Sequence, residues 1–371
     1  MSGLAPTTRV VRSDTGAQVA LAEVADARAA VPVWALDREL RIVPATIAVL
    51  TRRTTRVHEV RLASGRSAAV ADDHHVLTRD GWMPADTLQI GTRVAVPRVV
   101  PDPVDPVWWP DDEVILLAHL LANPGATGRR PLCYSTGEEA NADAVEKAAA
   151  HFGVVPRRVR HGDWWRLYLP SPANLPRGDR HPMLGWLDEL GVAGEAEQAH
   201  LPAGVFALDR RQLALFVRHL WAAGGVLRIG DGQPVLSYGA GSRAMVDDVQ
   251  AVLDRFGVAT RVRRGRGPDA AWHVMVLGAD AQYRFIDEIG AHPGGGHIAQ
   301  RIARFLAATG DARLDRRPTS DIGWDVVTSS QAAGEQPVCA ATVTGPERPS
   351  ERGAGLLEPA LLAGGIVAAA G

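Results

Sequence analysis

Glu113-Val-Ile-Leu-Leu-Ala-His-Leu-Leu-Ala-Asn-Pro-Gly125 is the stretch that decides how the chain is read. Val114, Leu117, Ala118 and Leu121 share one face of a helix. Pro124-Gly125 predicts its end, because proline supplies no N–H to the ladder and glycine accepts a left-handed turn. The pattern returns at Leu213-Ala-Leu-Phe-Val-Arg-His-Leu-Trp-Ala-Ala-Gly-Gly225.

The segments downstream of the two copies also match. After the first come a strand at Leu132-Cys-Tyr-Ser, an amphipathic helix over Asn141–Phe152, and a hairpin from Val154–Val159 and Trp164–Leu169. After the second come strands at Val226-Leu-Arg-Ile and Val235-Leu-Ser-Tyr, a helix over Ser242–Phe256, and strands at Val258–Arg263 and Trp272–Val276. Phe152-Gly-Val-Val has its counterpart in Phe256-Gly-Val-Ala, and Arg158-Val-Arg in Arg261-Val-Arg. A repeat of about one hundred residues is too long for a solenoid unit and implies two α/β halves about a pseudo-twofold axis. Further helices are expected over Gln282–Thr309.

Outward from the repeats the periodicity changes. Residues 8–100 alternate as short strands: Arg9-Val-Val-Arg, Val33-Trp-Ala-Leu, Leu40-Arg-Ile-Val, Thr46-Ile-Ala-Val-Leu and Val57-His-Glu-Val-Arg-Leu, with a hairpin at Arg79-Asp-Gly. Five prolines between Pro97 and Pro110 mark a linker. Beyond Arg316-Arg-Pro the strand pattern resumes at Trp324-Asp-Val-Val and Pro337-Val-Cys-Ala-Ala-Thr-Val, and Gly345–Gly355 reads as a loop. The expected organisation is an all-β domain made by both chain ends (1–100 and 318–371), a linker at 101–112, and an inserted α+β domain at 113–310 with repeats at about 113–170 and 212–278.

Composition adds limits. The chain of 371 residues carries a net charge of -2, so a nucleic-acid partner would need a local basic face. Lys147 is the single lysine, and the arginine bias together with abundant Ala, Gly and Val fits a GC-rich genome. Cys133 and Cys339 offer neither zinc spacing nor a disulfide framework. With no signal-peptide core and no apolar run of about 18 residues, the expectation is a cytoplasmic protein with no membrane segment.

Paired helices with tight feet, each followed by a β-saddle, resemble LAGLIDADG (DOD-type) homing endonucleases. The flanking β-halves resemble the Hint domain of an intein. Gly65–Thr78 and Gly81-Trp-Met-Pro-Ala-Asp-Thr-Leu-Gln-Ile-Gly-Thr-Arg-Val-Ala-Val-Pro-Arg98 resemble the Hint block with its characteristic histidine. Ser320-Asp-Ile-Gly-Trp-Asp-Val-Val, Gly334-Glu-Gln-Pro-Val and Gly365-Ile-Val resemble the C-terminal half. The likeness is to inteins of bacterial replicative DNA helicases and covers essentially the whole chain. It implies a mixed fold: a horseshoe-like, all-β Hint domain interrupted by a two-repeat LAGLIDADG domain.

The chemistry departs from that family. Splicing there begins with a Cys or Ser whose side chain takes up the preceding acyl group; the matching position is Gly3, which has no nucleophile, and Ser2 is out of register. The Thr and His that polarise the scissile amide match Ala71 and His74, so the imidazole alone survives. Read without the family, His74 is a turn histidine satisfied beside Asp73. The assisting Asp matches Ala340. The His-Asn pair and the following nucleophile match Ala369, Ala370 and Gly371, and the loop around Pro346-Glu-Arg replaces a His-Asn-Phe segment. In the endonuclease, an acid at each helix foot would hold Mg²⁺; the matching residues are Asn123 and Gly224.

The resemblance therefore implies a degenerate relative, splicing-inactive and cleavage-inactive. Duplex DNA is the partner it offers, through Arg157, Arg158, Arg160 and Arg166 in the first half and Arg261, Arg263, Arg264 and Arg266 in the second. The bland alternative is a solvated arginine face. An active endonuclease using displaced acids (Asp111 or Asp231) with Mg²⁺, a non-enzymatic scaffold, and an engineered inactive intein are the rival readings. No cofactor is expected, with Mg²⁺ required only if cleavage persists, and both repeats in one chain imply a monomer.

Overall fold

The computed structural model describes residues 3–27, 29–37, 39–123, 132–176, 178–192, 199–267, 270–291, 296–308, 320–345 and 360–369. Two compact units result, one from Met1–Pro106 with Arg316–Gly371 and the other Val107–Asp315. No helix among the described residues is long and apolar enough to cross a membrane.

The first unit is a sheet assembled from both chain ends. Its strands are β1 (Arg9–Val11), β2 (Gln18–Ala20), β3 (Val31–Leu36), β4 (Ile42–Leu62), β5 (Ser67–Ala71), β6 (His75–Thr78), β7 (Gly81–Pro84), β8 (Arg93–Pro97), β16 (Ile322–Thr344), β17 (Ala360–Ala363) and β18 (Ile366–Ala369), with a short helix α1 (Leu21–Ala27). Nine of them run in the order β18-β6-β8-β16-β4-β3-β17-β1-β2, with β5 paired to β4 and β7 to β6, and β17 also pairs with β18, so the path from β18 to β17 closes on itself. The strands of that ring have no free edge, while β2, β5 and β7 each pair on one side. β17 is buried at every position and β3 at all but one, as strands covered on both faces must be.

Two expectations change here. The strand-like runs at Thr46–Leu50 and Val57–Leu62 belong to one strand of 21 residues, β4. The runs at Trp324 and Pro337 likewise merge into the 23 residues of β16, its antiparallel partner. The intervening Thr, Arg, Gln and Gly residues hid the strand because the outer stretch of this ribbon is exposed and has no apolar stripe. Shifts at Val327/Ser329, Ala332/Glu335 and Thr342/Val343 absorb the strain of so long a pair.

The second unit holds α2 (Asp111–Leu121), β9 (Cys133–Thr136), α3 (Glu139–Ala149), β10 (Arg157–His161), β11 (Trp164–Tyr168), α4 (Pro182–Glu189), α5 (Ala203–Phe206), α6 (Arg210–Gly224), β12 (Gly225–Gly230), β13 (Gln233–Ala240), α7 (Arg243–Arg255), β14 (Thr260–Arg264), β15 (Trp272–Val276), α8 (Gly278–Arg284) and α9 (Gly296–Ala308). Asp111, Asp112 and Glu113 place negative charge in the first turn of α2, where the helix dipole favours it. Asp209 caps α6 by accepting from the Gln212 N–H at 2.7 Å, and Ser242 caps α7 from Met245. Pro124-Gly125 lies outside the described residues. At the end of α6 the chain passes straight into β12 with Gly225 extended (φ -94, ψ 169), and a Cβ there would stand 2.5 Å from Trp221 Cδ1. Glycine is needed for that close approach, not for a left-handed turn.

α2 and α6 pack together through Val114, Leu117, Leu120, Leu213, Phe216, Val217 and Leu220, all essentially buried. Two antiparallel sheets accompany them: β10-β11-β9 in the first half and β12-β13-β15-β14 in the second. In the second sheet Leu236, Tyr238, Val262, Val274 and Val276 point into the core. Strand alternation then turns Arg228, Ser237, Arg261, Arg263, His273 and Met275 to the opposite face.

Candidate functional sites

Gly3, Ala71 and His74 come together. Ala71 N–H donates to Gly3 O at 2.8 Å, and His74 N–H to Ala71 O at 2.9 Å. Leu4 and Cys339 exchange backbone hydrogen bonds of 2.9 and 2.7 Å, which sets Gly3 beside Val338 and leaves Ala340 one residue further along β16. Ala369 ends β18, whose Ala368 pairs with Val76 of β6. Ala370 lies outside the described residues.

His74 corrects an expectation. It is 1% exposed, and neither ring nitrogen has a hydrogen-bond partner among the described residues. It is no satisfied turn histidine. Asp72, not Asp73, holds an imidazole here, that of His58, at 2.7 Å. Burial pushes the His74 imidazole down to about 4, and the charge of Asp73 offsets only part of that. The ring is therefore neutral at pH 7, able to donate from one nitrogen and accept at the other, and neither has a partner among the described residues.

Gly3 is more than a missing side chain. A Cβ built there would lie 2.7 Å from Val338 Cγ2 and 3.1 Å from Val338 Cβ. Valine occupies the volume a nucleophilic side chain needs.

The helix feet show the same closure. Asn123 donates through Nδ2 to Ser135 O at 2.7 Å, which ties its amide to β9. At Gly224 a Cβ would meet Tyr238 Cε2 at 3.1 Å and Ala122 Cβ at 3.2 Å. Asn141 Nδ2 donates to Ala222 O at 2.7 Å and binds α3 to the same foot. This set does not fit Mg²⁺, since neither foot supplies a carboxylate and the second is crowded by Ala122 and Tyr238. Among the described residues no three His, Cys, Asp or Glu side chains converge to hold a metal ion. The displaced acids do not repair the loss. Asp111 stands at the opposite end of α2, about 16 Å along the helix, in a bidentate pair with Arg211 at 2.9 and 3.0 Å. Hydrogen bonding from Arg211 holds its carboxyl below the usual range. Asp231 sits in the β12–β13 turn at φ 50.

Between α2 and α6 lies a polar chain that sequence reading passed over. His119 Nδ1 is 2.9 Å from the Tyr134 hydroxyl, and its Nε2 is 3.0 Å from His219 Nδ1. The two histidines occupy equivalent places in the repeated helix pattern, which was the available signal.

The arginines divide by strand register. Arg158 and Arg160 share a face with Leu167 and Trp165, their cross-strand partners, Arg158 half-buried and Arg160 exposed. Arg158 donates to Asp143 at 2.6 Å and Glu139 at 3.4 Å on α3, and its guanidinium lies 4.0 Å over Trp165. Arg160 bonds Gly162 O at 3.1 Å. Arg157 and Arg166 turn to the other face and stack on Tyr168 and Trp164, at 4.7 and 5.0 Å. In the second sheet Arg261 and Arg263 share the outer face with Arg228, which the sequence reading missed although it alternates with Leu227 and Ile229. Arg264 leans towards Trp272 at 5.9 Å, and Arg266 follows β14. No ion pair joins Arg228, Arg261, Arg263 or Arg266 to a carboxylate among the described residues.

A family profile described as "LAGLIDADG-like domain" matches residues 211–290, which run from α6 past α8. The replicative DNA helicase DnaB of Synechocystis sp. is 29% identical over 293 residues, 75% of this chain and 33% of that protein. DnaB of Rhodothermus marinus is 30% identical over 277 residues, 70% of this chain and 29% of that protein. Protein RecA of Mycobacterium tuberculosis is 28% identical over 276 residues, 70% and 33% respectively. A helicase and a RecA protein share with this chain a module, not a whole protein. With the β-unit built from both chain ends around the helical insertion, the family is settled. The chain is an intein-like protein.

The intein-like protein has a Hint β-unit interrupted by a LAGLIDADG-type homing-endonuclease domain. It spans about a third of the length of the curated relatives it matches. Among solved structures, a DnaB intein from Synechocystis sp. is 21% identical at TM-score 0.25, covering 26% of this chain and 70% of that one. I-DmoI in complex with DNA and Mn is 12% identical at TM-score 0.35, covering 48% and 96%. At such scores these neighbours add nothing to the fold, which the chain's own topology gives.

Proposed function

We propose that this intein-like protein is inactive in both splicing and DNA cleavage and acts as a duplex DNA-binding protein. One observation carries the loss of chemistry: the space of the missing groups is filled. Val338 occupies the place of a side chain at residue 3, and Ala122 with Tyr238 crowd one at residue 224. A site that had merely lost a functional group would leave a vacancy that reversion could fill. Here the neighbours have packed in, and His74 is left buried without a partner among the described residues.

The DNA-binding half of the reading is supported by the outer face of the second sheet, where Arg228, Arg261 and Arg263 stand without carboxylates among the described residues. Such a face binds phosphates and releases counterions. The test is intact mass of the chain fused between two tags, together with a gel-shift titration on duplex DNA. A single species of full mass and a shift that weakens with salt are expected. Ligated or released tags sink the inactive-Hint reading, and Mg²⁺-dependent nicking sinks the inactive-endonuclease reading.

A further inference from the structure

Strand register gives the two halves unequal outer faces. In the first sheet, Arg158 is neutralised by Asp143 and Glu139, and the exposed Arg160 donates back to the Gly162 carbonyl at 3.1 Å. The two that remain, Arg157 and Arg166, hold their guanidinium groups 4.7 and 5.0 Å from the centroids of Tyr168 and Trp164. The second sheet carries a concave patch of about 570 Å³ lined by Arg228, Ser237, Arg263, Arg264, Arg266 and His273.

Glycines shape that patch. The Arg228 guanidinium lies against Gly230, where a Cβ would collide with it. The His273 ring sits on Gly239, where a Cβ would meet Cε1 and Nδ1 at 3.1 Å, and beside Gly265, where a Cβ would lie 3.6 Å from Nε2. Arg263 is the cross-strand partner of His273, and Ser237 lies on the same face two residues before Gly239. The result is one hollow to which Val235 and Met275 give an apolar lining and around which stand hydrogen-bond donors, most of them cationic. A hollow of that charge matches consecutive phosphates of one nucleic-acid strand, because guanidinium groups bind phosphate oxygens in a planar fork.

Resting on the DNA-binding reading above, we infer that the second repeat alone grips the backbone, through an Arg228–Arg263–His273 cradle held open by Gly239. Grip by one repeat makes the protein a binder of half the footprint a symmetric pair of saddles would cover.

The test is a fluorescence-anisotropy titration of the full chain on a random duplex of about 30 base pairs, at several salt concentrations from about 50 to 200 mM. The double variant Arg228→Ala/Arg263→Ala lowers the slope of log K against log salt by about 1.8, near 0.9 for each lost phosphate contact. Arg157→Ala/Arg166→Ala lowers it by less than half as much. Gly239→Ala removes no donor, yet weakens binding several-fold by displacing His273, and leaves the melting temperature of the protein close to wild type. Equal slope losses for the two double variants overturn the one-sided cradle while leaving DNA binding intact. Wild-type affinity after Gly239→Ala overturns the positioning role of that glycine. No binding by the wild-type chain at about 50 mM salt removes the DNA-binding reading itself, and the cradle with it.

Discussion

At the scale of single residues, Gly3 and His74 carry the most information. A glycine where a nucleophile belongs reads as loss of one group, but Val338 Cγ2 at 2.7 Å from the missing Cβ makes it a repacked site. Gly3→Cys, alone or with Ala71→Thr, is therefore expected to leave an N-terminal fusion intact under excess dithiothreitol. It also destabilises by about 1–3 kcal/mol through overpacking. Mass spectrometry for thiol-released tag checks the first, and denaturant melts the second. His74 gives a pH dependence of definite sign. Its folded-state value, about 4, is depressed below the ordinary 6.5. Above about 6.5 both folded and unfolded imidazoles are neutral. As pH falls from there towards 4, the unfolded chain takes up a proton that the folded chain refuses, so stability falls on acidification, by up to about 3 kcal/mol. Urea midpoints measured across that window should fall for wild type and fall less for His74→Leu.

At the scale of elements, the paired helices are held by packing that needs no metal site. Their apolar faces and the His119–His219 contact hold α2 against α6. His119→Ala leaves a cavity and strips a hydrogen-bond partner from both Tyr134 and His219, a loss of about 3 kcal/mol; thermal melts followed by circular dichroism measure it. Gly224→Asp puts a carboxylate back at the foot but drives it against Ala122 and Tyr238, so about 1–3 kcal/mol of stability is lost. Plasmid nicking with Mg²⁺ should not appear. The strands teach a different lesson. Helices and core strands were legible because burial on one face imposes a period. The long β4–β16 ribbon was not, because residues such as Gln331 and Glu335 are exposed and the backbone pairing alone holds them in line.

At the scale of the whole molecule, two units each possess a buried core. Calorimetry of the full chain is expected to show more than one transition, as multidomain proteins do. Acidification to about pH 5 should act on the transition that His74→Leu changes, and His119→Ala on the other. A single transition moved equally by both perturbations contradicts this.

The sequence by itself determined the family and the plan: a repeated helix–sheet unit inserted between two β-halves, with Gly3, Ala71, Asn123 and Gly224 at the positions where the resemblance implies reactive groups. Periodicity and residue identity suffice for that, since both are local. Only the tertiary structure decided what became of the empty positions, because whether a neighbour has moved into a space depends on chain segments far apart in sequence, such as Val338 against Gly3. It also decided which arginines face outward. A one-residue difference in strand register separates Arg157 from Arg158, and no composition or spacing rule fixes which face of a sheet the core will claim.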